Sequence, residues 1–228
     1  SKRMFILRMM DVMHPVQTRI NPLEYDAYMK TRCIFYRFQN PDNIRTTEYG
    51  SPNYNHGAFE KSILRLKRTK QAYYELVEKI LQVYYLKESK YLPGDKCIVF
   101  FYSVDMCTDF VNWLSKRKPA LKVMKFTHGD PDSVLVEGDV IVSTVIKLGT
   151  AQDLKQLTTV VRTQALDSVQ GILQTLGRLR KLPDGRTPYY IYFACEQMEK
   201  HLEYNENAMG LFKELGVEQR GVVIQGLL

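Results

Sequence analysis

The stretch from Gln174 to Lys181 (QTLGRLRK) concentrates groups that could bind a polyphosphate. It combines an amide, a glycine at Gly177 and three cations, which are Arg178, Arg180 and Lys181. A glycine lets two backbones approach closely, and arginine presents a planar fork of donors that matches phosphate oxygens. The alternative interpretation is structural: a helix ends here, and cations offset the negative pole of that helix before a Pro-Asp-Gly turn. Short motifs often match by chance, so the choice between the phosphate-binding and the structural interpretation depends on the surrounding sequence.

The composition indicates a folded, basic protein. The 228 residues are 45% hydrophobic, which suffices for one large domain or one domain with a sizeable extension. Lysine and arginine outnumber aspartate and glutamate by 32 to 25, and the resulting charge of +7 favours an anionic partner such as nucleic acid. Most of the 15 tyrosines and 10 phenylalanines are expected in the core, although some could stack on bases. No apolar run approaches the ~18 residues of a transmembrane helix, so no membrane association is predicted.

The four cysteines, Cys33, Cys97, Cys107 and Cys195, are widely spaced and include no CxxC pair. Together with the four histidines they give no zinc-binding pattern, so no metal site is predicted. Cys97 and Cys195 lie in apolar, strand-like runs, which indicates buried thiols in a protein of a reducing compartment, cytoplasmic or nuclear.

Residues 1–95 are predicted to be a linker or extension that contains one long helix. Strand-like segments run from Met4 to Met10 and from Arg32 to Phe38, and a long polar loop runs from Asn40 to Gly57. Apolar residues at helical spacing predict a helix from Phe59 to Leu86. The cations in the first half of this helix are Lys61, Arg65, Lys67, Arg68 and Lys70. A solvated face explains these cations more simply than contacts with phosphates.

Between residues 96 and 195, apolar strand-like runs alternate with helical segments. The predicted strands are Lys96 to Tyr102, Leu121 to Phe126, Asp139 to Ser143, Thr158 to Arg162 and Tyr189 to Ala194. Helices are predicted from a cap at Ser103 to Ser115, and from Leu166 to Leu176. This alternation is typical of an α/β fold with a parallel sheet and helices on both faces, in which the loops at the carboxyl ends of strands carry the chemistry. Residues 196–228 are predicted to be a helical tail.

Four segments occur in a characteristic order: Ser103 after the first of these strands, His128-Gly129-Asp130, Ser143 to Thr150 (STVIKLGT), and QTLGRLRK. This order and spacing resemble the second, C-terminal RecA-like domain of superfamily 2 helicases, where the segments correspond to motif IV, a His-Gly loop, motif V and motif VI. The resemblance covers about Lys96 to Cys195. STVIKLG is similar to motif V of the branch-migrating helicases of bacteria and large phages, and QTLGR is similar to the phage type.

The resemblance implies that ATP is hydrolysed in a cleft between two RecA-like lobes, with cations of the second lobe stabilising the transferring phosphoryl group. By resemblance, Arg178 takes the place of an arginine finger. The family places a second finger three residues later, where this chain has Lys181 directly after Arg180. Lysine lacks the planar fork of arginine, so either Arg180 or Lys181 could fill the second position. Gln174 would contact the γ-phosphate or couple the cleft to the strand. The other implied nucleotide-binding residues are Gly177, Gly149 and Asp153, although the family's acid lies nearer to its glycine than Asp153 lies to Gly149.

The residues that the resemblance places against a nucleic-acid strand are Ser103, His128, Gly129, Thr144 and Lys147. Small hydroxyl side chains and backbone N–H groups at helix starts can hold phosphates without reading the base sequence. Each has a simpler alternative: Ser103 as a helix cap, His128 as a residue that holds a turn, and Lys147 as a solvated cation.

The sequence contains neither a GxxxxGK[ST] phosphate loop nor a DExx acid pair for magnesium. The resemblance therefore implies that ATP and Mg²⁺ are bound mainly by a first RecA-like lobe outside this sequence. The sequence is accordingly expected to be a piece of a longer protein, inactive as an ATPase by itself.

The expected function is that of the C-terminal lobe of an ATP-dependent helicase or translocase. DNA is the expected nucleic acid, with branch remodelling, recombination or repair as the process and the host cytoplasm of a virus or phage as one location. An RNA helicase or a restriction-type translocase is the first alternative. The second is a non-catalytic nucleic-acid-binding or scaffold protein that retains this lobe. A Rossmann-like dinucleotide domain is disfavoured, because no GxGxxG follows any predicted strand.

Overall fold

The computed structural model describes residues 28–148, 154–165, 167–224 and 227–228. Its strands are β1 (Lys30–Tyr36), β2 (Lys96–Phe101), β3 (Val123–Phe126), β4 (Val140–Thr144), β5 (Leu157–Arg162), β6 (Tyr189–Cys195) and β7 (Glu218–Val223). They form one seven-stranded sheet in the order β3-β4-β2-β5-β6-β1-β7. Every neighbouring pair in this sheet is parallel.

Helices cover both faces of the sheet. They are α1 (His56–Arg65), α2 (Lys67–Ile80), α3 (Val104–Arg117), α4 (Ser133–Glu137), α5 (Val145–Leu148), α6 (Val169–Leu176) and α7 (Glu199–Glu214). A short 3-10 helix spans Pro41–Asn43, and a π-helical segment, Leu81–Glu88, continues α2.

Each face of the sheet has its own hydrophobic core. Residues of α1, α2 and α3, such as Phe59, Tyr73 and Phe110, form one core with one side of the strands. Residues of the other four helices, such as Ile172 and Phe212, form the second core. Because both faces are covered, the inner strands are nearly continuous apolar runs. The α/β prediction, with helices on both faces of a parallel sheet, is confirmed, and the five strands predicted between residues 96 and 195 are present.

The predicted boundaries at residues 95 and 195 do not separate structural units. β1, from the region predicted to be a linker, lies between β6 and β7 and pairs with both. The predicted tail contains α7, but it also contains β7, so the prediction of a wholly helical tail was wrong. β7 was missed because it is an exposed edge strand with charged residues and lacks the apolar alternation of a buried strand. The segment Met4 to Met10 lies outside the described residues.

The long helix predicted from Phe59 to Leu86 is divided. It begins earlier, at His56, where the Asn55 side chain caps α1 by accepting a hydrogen bond from the Ala58 N–H. α1 and α2 are separated at Leu66, whose backbone is extended (φ −94°, ψ 91°). Leu66 still packs against the core, so the apolar spacing continues across the break and hides it from a periodicity analysis. Of the predicted cations, Lys61, Arg65, Lys67 and Arg68 are exposed and Lys70 pairs with Asp109 at 2.9 Å.

Candidate nucleotide and nucleic-acid interface

Three predicted contact segments meet at the carboxyl edge of the sheet. β4 lies between β3 and β2, and all three strands point the same way. Phe101 aligns with Thr144, and Phe126 aligns with Ser143. The turn after β2, the loop after β3 and the end of β4 are therefore neighbours, separated by about one strand spacing of ~4.8 Å each.

The turn after β2 is fixed by a carboxylate that sequence reasoning missed. Glu60 of α1, which is 1% exposed, accepts hydrogen bonds from the backbone N–H of Tyr102 (2.7 Å) and of Ser103 (2.8 Å). It also accepts the Ser103 hydroxyl proton at 2.6 Å. Ser103 caps α3 by accepting from the Met106 N–H at 3.3 Å, as the structural alternative for this residue predicted. In this arrangement the Ser103 hydroxyl proton is already donated and is not directed at solvent.

A chain of buried polar groups leads from Glu60 to the end of β6. The Cys195 N–H donates to His201 Nδ1 at 3.2 Å, so we assign the His201 proton to Nε2. His201 Nε2 and His56 Nδ1 each lie 2.6 Å from the Tyr54 hydroxyl, which can accept from the first and donate to the second. His56 Nε2 lies 3.7 Å from Glu60 Oε1, which is beyond hydrogen-bond distance, so among the described residues this nitrogen has no hydrogen-bond partner and the last contact of the series is electrostatic only. Burial and the neighbouring His56 lower the pKa of His201 to about 3, which keeps this ring neutral.

The loop after β3 presents a backbone turn. Gly129 has a φ of +89°, a left-handed conformation that favours glycine. Both the backbone N–H and the hydroxyl of Thr127 donate to Asp130 Oδ2, at 2.7 and 3.0 Å. Burial raises the pKa of Asp130, but these hydrogen bonds and Lys125 outweigh burial, so its pKa is lowered overall. His128 is exposed at the tip, and the Thr127–Asp130 contacts rather than the imidazole close the turn.

The end of β4 is anchored to β3 and carries a half-exposed lysine. The Ser143 hydroxyl donates to the Phe126 carbonyl, which ties the ends of the two strands together. Thr144 is 8% exposed. Lys147 Nζ lies 4.7 Å from the centre of the Phe126 ring, a cation–π contact that holds the side chain over β3. The predicted nucleotide residues Gly149 and Asp153 lie outside the described residues.

The other predicted nucleotide-binding residues lie on and after α6, which follows β5 and runs from the carboxyl edge of the sheet toward its amino edge. It is capped by Ser168, whose side chain accepts from the Gly171 N–H, and Gly177 ends it. Turn hydrogen bonds continue past Gly177, because the Arg178 N–H donates to the Thr175 carbonyl at 3.4 Å. Gln174 and Arg178 are therefore separated by about one helical turn, which brings them to the same side. Gln174 is exposed and Arg178 is half-buried.

The next two cations line a cleft with a volume of about 640 Å³. Its lining residues are Leu154, Lys155, Gln156, Leu157, Arg180, Lys181, Leu182 and Pro183. Leu157 begins β5, so this cleft lies toward the amino ends of the strands. Arg180 and Lys181 are both exposed, and Arg178 is not among the lining residues. The structure thus places the two candidates for the second cationic position together in one cleft.

The segment that carries these cations is fixed at two points. Leu179 is fully buried (0% exposed) in the second core. At the far end, the Arg186 guanidinium forms a two-pronged ion pair with Asp95, with N–O distances of 2.5 and 2.8 Å. Asp95 is 0% exposed and precedes β2, so this pair ties the segment to the amino edge of the sheet. Bidentate arginine–carboxylate pairs fix geometry strongly.

Comparison with known proteins identifies the fold. No family model matches the sequence, and no curated relative matches it. Among solved structures, T4 UvsW superposes with a TM-score of 0.58 at 14% identity over 86% of this chain. S. cerevisiae Dbp5 bound to RNA and ADP BeF3 gives 0.54 at 10% identity over 90%, and E. coli DEAD-box protein SrmB bound to RraA gives 0.51 at 13% over 85%. The isolated C-terminal domain of the DEAD-box protein Dbp5 also superposes, with a TM-score of 0.54 at 10% identity over 86% of this chain. This chain has the fold of a helicase second lobe.

The chain spans 41% of the UvsW chain and 44% of the Dbp5 chain, but 91% of the SrmB chain. The predicted RecA-like architecture is confirmed.

Within this helicase-lobe fold, the carboxyl edge brings Ser103, His128, Gly129 and Thr144 together, while the segment after α6 carries the cations. Sequence reasoning missed the support behind the carboxyl edge, namely Glu60 and the chain through Tyr54. The Asn55 cap at the true start of α1 was the available signal, because it places the residues from His56 to Glu60 on the first turns of a helix rather than in a loop.

In the described ranges, no cluster of three histidine, cysteine, aspartate or glutamate side chains is arranged to hold a metal ion. No helix in that part of the chain is both long and apolar enough for a membrane span. Cys97 and Cys195 are buried free thiols, as their strand positions predicted, and so are Cys33 and Cys107.

Proposed function

We propose that this chain is the second RecA-like lobe of an ATP-driven helicase or translocase that acts on nucleic acid, with DNA favoured over RNA. The observation that carries the proposal is the placement of two sets of residues on one lobe. One set lies on neighbouring strand ends at the carboxyl edge, and the other is the cationic segment after α6.

The cationic segment fits the chemistry of phosphoryl transfer. The transition state spreads negative charge over the γ-phosphoryl oxygens, and a positioned arginine stabilises that charge. Arg178 is the proposed finger, because it follows the end of α6 and shares a side with Gln174. Gln174 would contact the same phosphate, and Gly177 would let the backbone approach it. Arg180 or Lys181 would supply the second cation.

The carboxyl edge fits a strand backbone rather than base recognition. The Gly129 N–H, the Thr144 hydroxyl and Lys147 are donors or cations that could hold successive phosphates. His128 would add a further polar contact from the exposed tip of its loop. Ser103 contributes to the shape of this surface, because its own donors are bound to Glu60.

ATP and magnesium fit this lobe only in part. The residues present are cations and an amide, which suit the phosphate tail of ATP, whereas magnesium prefers carboxylate oxygens. A first lobe with a phosphate loop and an acid pair would bind most of the nucleotide, and Mg²⁺ would there neutralise charge on the phosphates. The proposed task of this chain is to bring Arg178 to the nucleotide when the lobes close. Alone it would be inactive.

DNA is favoured by the similarity of STVIKLG to the motif V of branch-migrating helicases and by the likeness to T4 UvsW. That similarity also motivates the proposed process, which is branch remodelling in recombination or repair in a phage or other virus. An RNA helicase is the alternative supported by the likeness to Dbp5, which was solved bound to RNA. A restriction-type translocase and a non-catalytic scaffold remain alternatives, the latter because Lys181 replaces the expected second arginine.

The test is nucleic-acid-stimulated ATP hydrolysis by the longer protein that contains both lobes. Arg178→Ala is expected to lower kcat by roughly 10³- to 10⁵-fold, as removal of an arginine finger does, while nucleic-acid affinity stays within about threefold. Arg68→Ala is the matched control, because Arg68 is an exposed arginine on α2 at the opposite face of the sheet. Turnover by Arg178→Ala near the wild-type rate would contradict the finger assignment.

The same assay separates the alternatives. Stimulation by forked DNA supports the branch-remodelling proposal, and stimulation by RNA alone supports the RNA helicase. Absence of turnover with intact nucleic-acid binding supports the scaffold. For this chain alone, affinity for an oligonucleotide should fall as salt rises, because phosphate contacts release counterions. Affinity that is independent of salt would contradict the phosphate contacts.

A further inference from the structure

Tyr102 is an exposed aromatic residue at the centre of the carboxyl edge. In the described part of the chain, nearly all aromatic side chains are at least partly buried, and Tyr49 and Tyr102 are the exposed ones, at 102% and 46%. Tyr102 directly follows β2, one residue after the Phe101–Thr144 pair. It therefore lies beside the strand end that carries the proposed phosphate contacts, whereas Tyr49 lies in the long loop before α1.

The backbone of Tyr102 is held rigidly. Its N–H donates to Glu60 at 2.7 Å, and the next residue, Ser103, caps α3 and is bound to the same carboxylate. A buried carboxylate that accepts several hydrogen bonds fixes the groups around it. The position of the ring is thus determined by two side-chain torsions on a fixed backbone.

One side of the ring rests on α1. A Cβ atom at Gly57 would lie 2.9 Å from Tyr102 Cε1, closer than such atoms approach, so the absence of a side chain at Gly57 makes room for the ring. The His56 ring is tilted beside it, with centroids 5.9 Å apart. The ring thus has neighbours from α1 on one edge, while the residue as a whole remains 46% exposed.

We propose that Tyr102 is a stacking platform for a nucleobase of the bound strand, a contact that rests on the proposed nucleic-acid function. An aromatic ring beside a row of phosphate contacts can stack on any base, because every base has a π-face. A rigid aromatic residue also loses little conformational freedom on binding. The phosphate contacts at Thr144 and Gly129 would set the path of the strand, and Tyr102 would hold one base along it.

The test compares oligonucleotides with and without bases. Affinities of this chain for a thymidine oligomer, a uridine oligomer and a base-free sugar-phosphate oligomer of equal length are measured for wild type, Tyr102→Ala and Tyr102→Phe. We expect Tyr102→Ala to weaken binding to the base-containing oligomers by roughly 5- to 100-fold and Tyr102→Phe to bind like wild type. On the base-free oligomer all three should bind equally. A 2-aminopurine base should be quenched by wild type and not by Tyr102→Ala.

Tyr49→Ala is the matched control, because it removes the other exposed tyrosine, and it should bind like wild type. If Tyr102→Ala loses the same factor on the base-free oligomer, the residue acts through phosphate or through the fold, and stacking is wrong. If Tyr102→Ala binds like wild type while binding stays salt-dependent, stacking is wrong and the proposed function stands. If wild type shows no salt-dependent binding to any oligomer, both proposals fail. Protection of Tyr102 by the first lobe, seen as loss of quenching in the two-lobe protein, would assign the ring to a protein contact instead.

Discussion

The turn after β2 and the segment after α6 differ in how they are supported. The turn is held from behind by Glu60, a buried carboxylate that satisfies the backbone N–H groups of Tyr102 and Ser103. The segment after α6 is fixed at Leu179 and at Arg186, but its exposed cations Arg180 and Lys181 line an open cleft.

Under the proposed function, this difference in support corresponds to a difference in role: the turn after β2 binds the strand backbone, and the segment after α6 acts on the nucleotide. A surface that binds a strand backbone gains from groups already fixed in the free lobe, because less freedom is lost on binding. Under the proposed function, the cations would have to reach a nucleotide bound mainly by another lobe, so their final geometry would be completed only when the lobes close. We therefore expect mutations in the turn to change stability and strand binding, and mutations in the cationic segment to change turnover.

The largest expected effect on stability is at Glu60. Glu60→Ala leaves three donors of the turn after β2 without their acceptor, and we expect the free energy of unfolding to fall by about 3–5 kcal/mol. Glu60→Gln should lose less, because an amide oxygen can still accept some of these bonds. Lys181→Ala, on the exposed segment, should change stability by less than about 0.5 kcal/mol. The measurement is urea unfolding of all three variants.

A small loss for Glu60→Ala would contradict the comparison, since it would show that the turn does not depend on this carboxylate. A large loss of unfolding free energy for Lys181→Ala would also contradict the comparison, because it would show that an exposed cation of the segment after α6 contributes to the stability of the fold.

The second expected effect is on the rate of ATP turnover and distinguishes Arg180 from Lys181 as the second phosphate-binding cation beside Arg178. In the two-lobe protein, we expect Arg180→Ala to lower kcat by roughly 10²-fold, because a guanidinium can bind two phosphate oxygens at once. Lys181→Ala should lower kcat less than about threefold, although both side chains line the same cleft. The reverse pattern would assign the second position to Lys181, and two small effects would leave Arg178 as the sole finger. Steady-state ATPase assays at saturating nucleic acid make the measurement.

The carboxyl edge could be predicted in outline from the sequence. β2, β4 and β5 are buried on both faces, so their apolar runs predicted strands, and the order of the segments predicted that Ser103, His128 and Thr144 would meet. Parallel strands place their carboxyl ends on one edge, which is a consequence of topology rather than of side-chain detail.

The support behind that edge could not be predicted. Glu60 is 43 residues from Ser103 and lies in a stretch of cations, where a carboxylate is normally expected to be solvated. Its burial depends on how α1 packs against β2, a long-range contact that no local pattern encodes. β7 was missed for a related reason, because its strand character comes from pairing with β1 and not from its own apolar residues. The relation between Arg178 and the cleft likewise depends on how the chain turns after Gly177.

The smallest expected effect is a pH dependence that originates behind the turn, at His201. Burial and the nearby His56 lower the pKa of His201 to about 3, whereas an unfolded histidine titrates near 6.5. Between these values the unfolded state binds more protons than the native state, so stability rises with pH. Near pH 5, His201 should contribute a slope that approaches about 1.4 kcal/mol per pH unit, and this contribution should fall to roughly 0.1 kcal/mol per pH unit by about pH 7.5.

The measurement is urea unfolding from pH 5 to 7.5 for wild type, His201→Asn and Lys200→Asn. Asparagine can still accept a hydrogen bond from the Cys195 N–H but does not titrate, so His201→Asn should lose this part of the slope. Carboxylates titrate equally in both proteins and cancel in the difference. Lys200→Asn changes the exposed neighbour on α7 and should retain the wild-type slope. Parallel curves for wild type and His201→Asn would show that His201 is not held neutral. The polar chain from Cys195 through Tyr54 to Glu60 would then not be the directed arrangement assigned to it, because a charged His201 cannot accept from the Cys195 N–H.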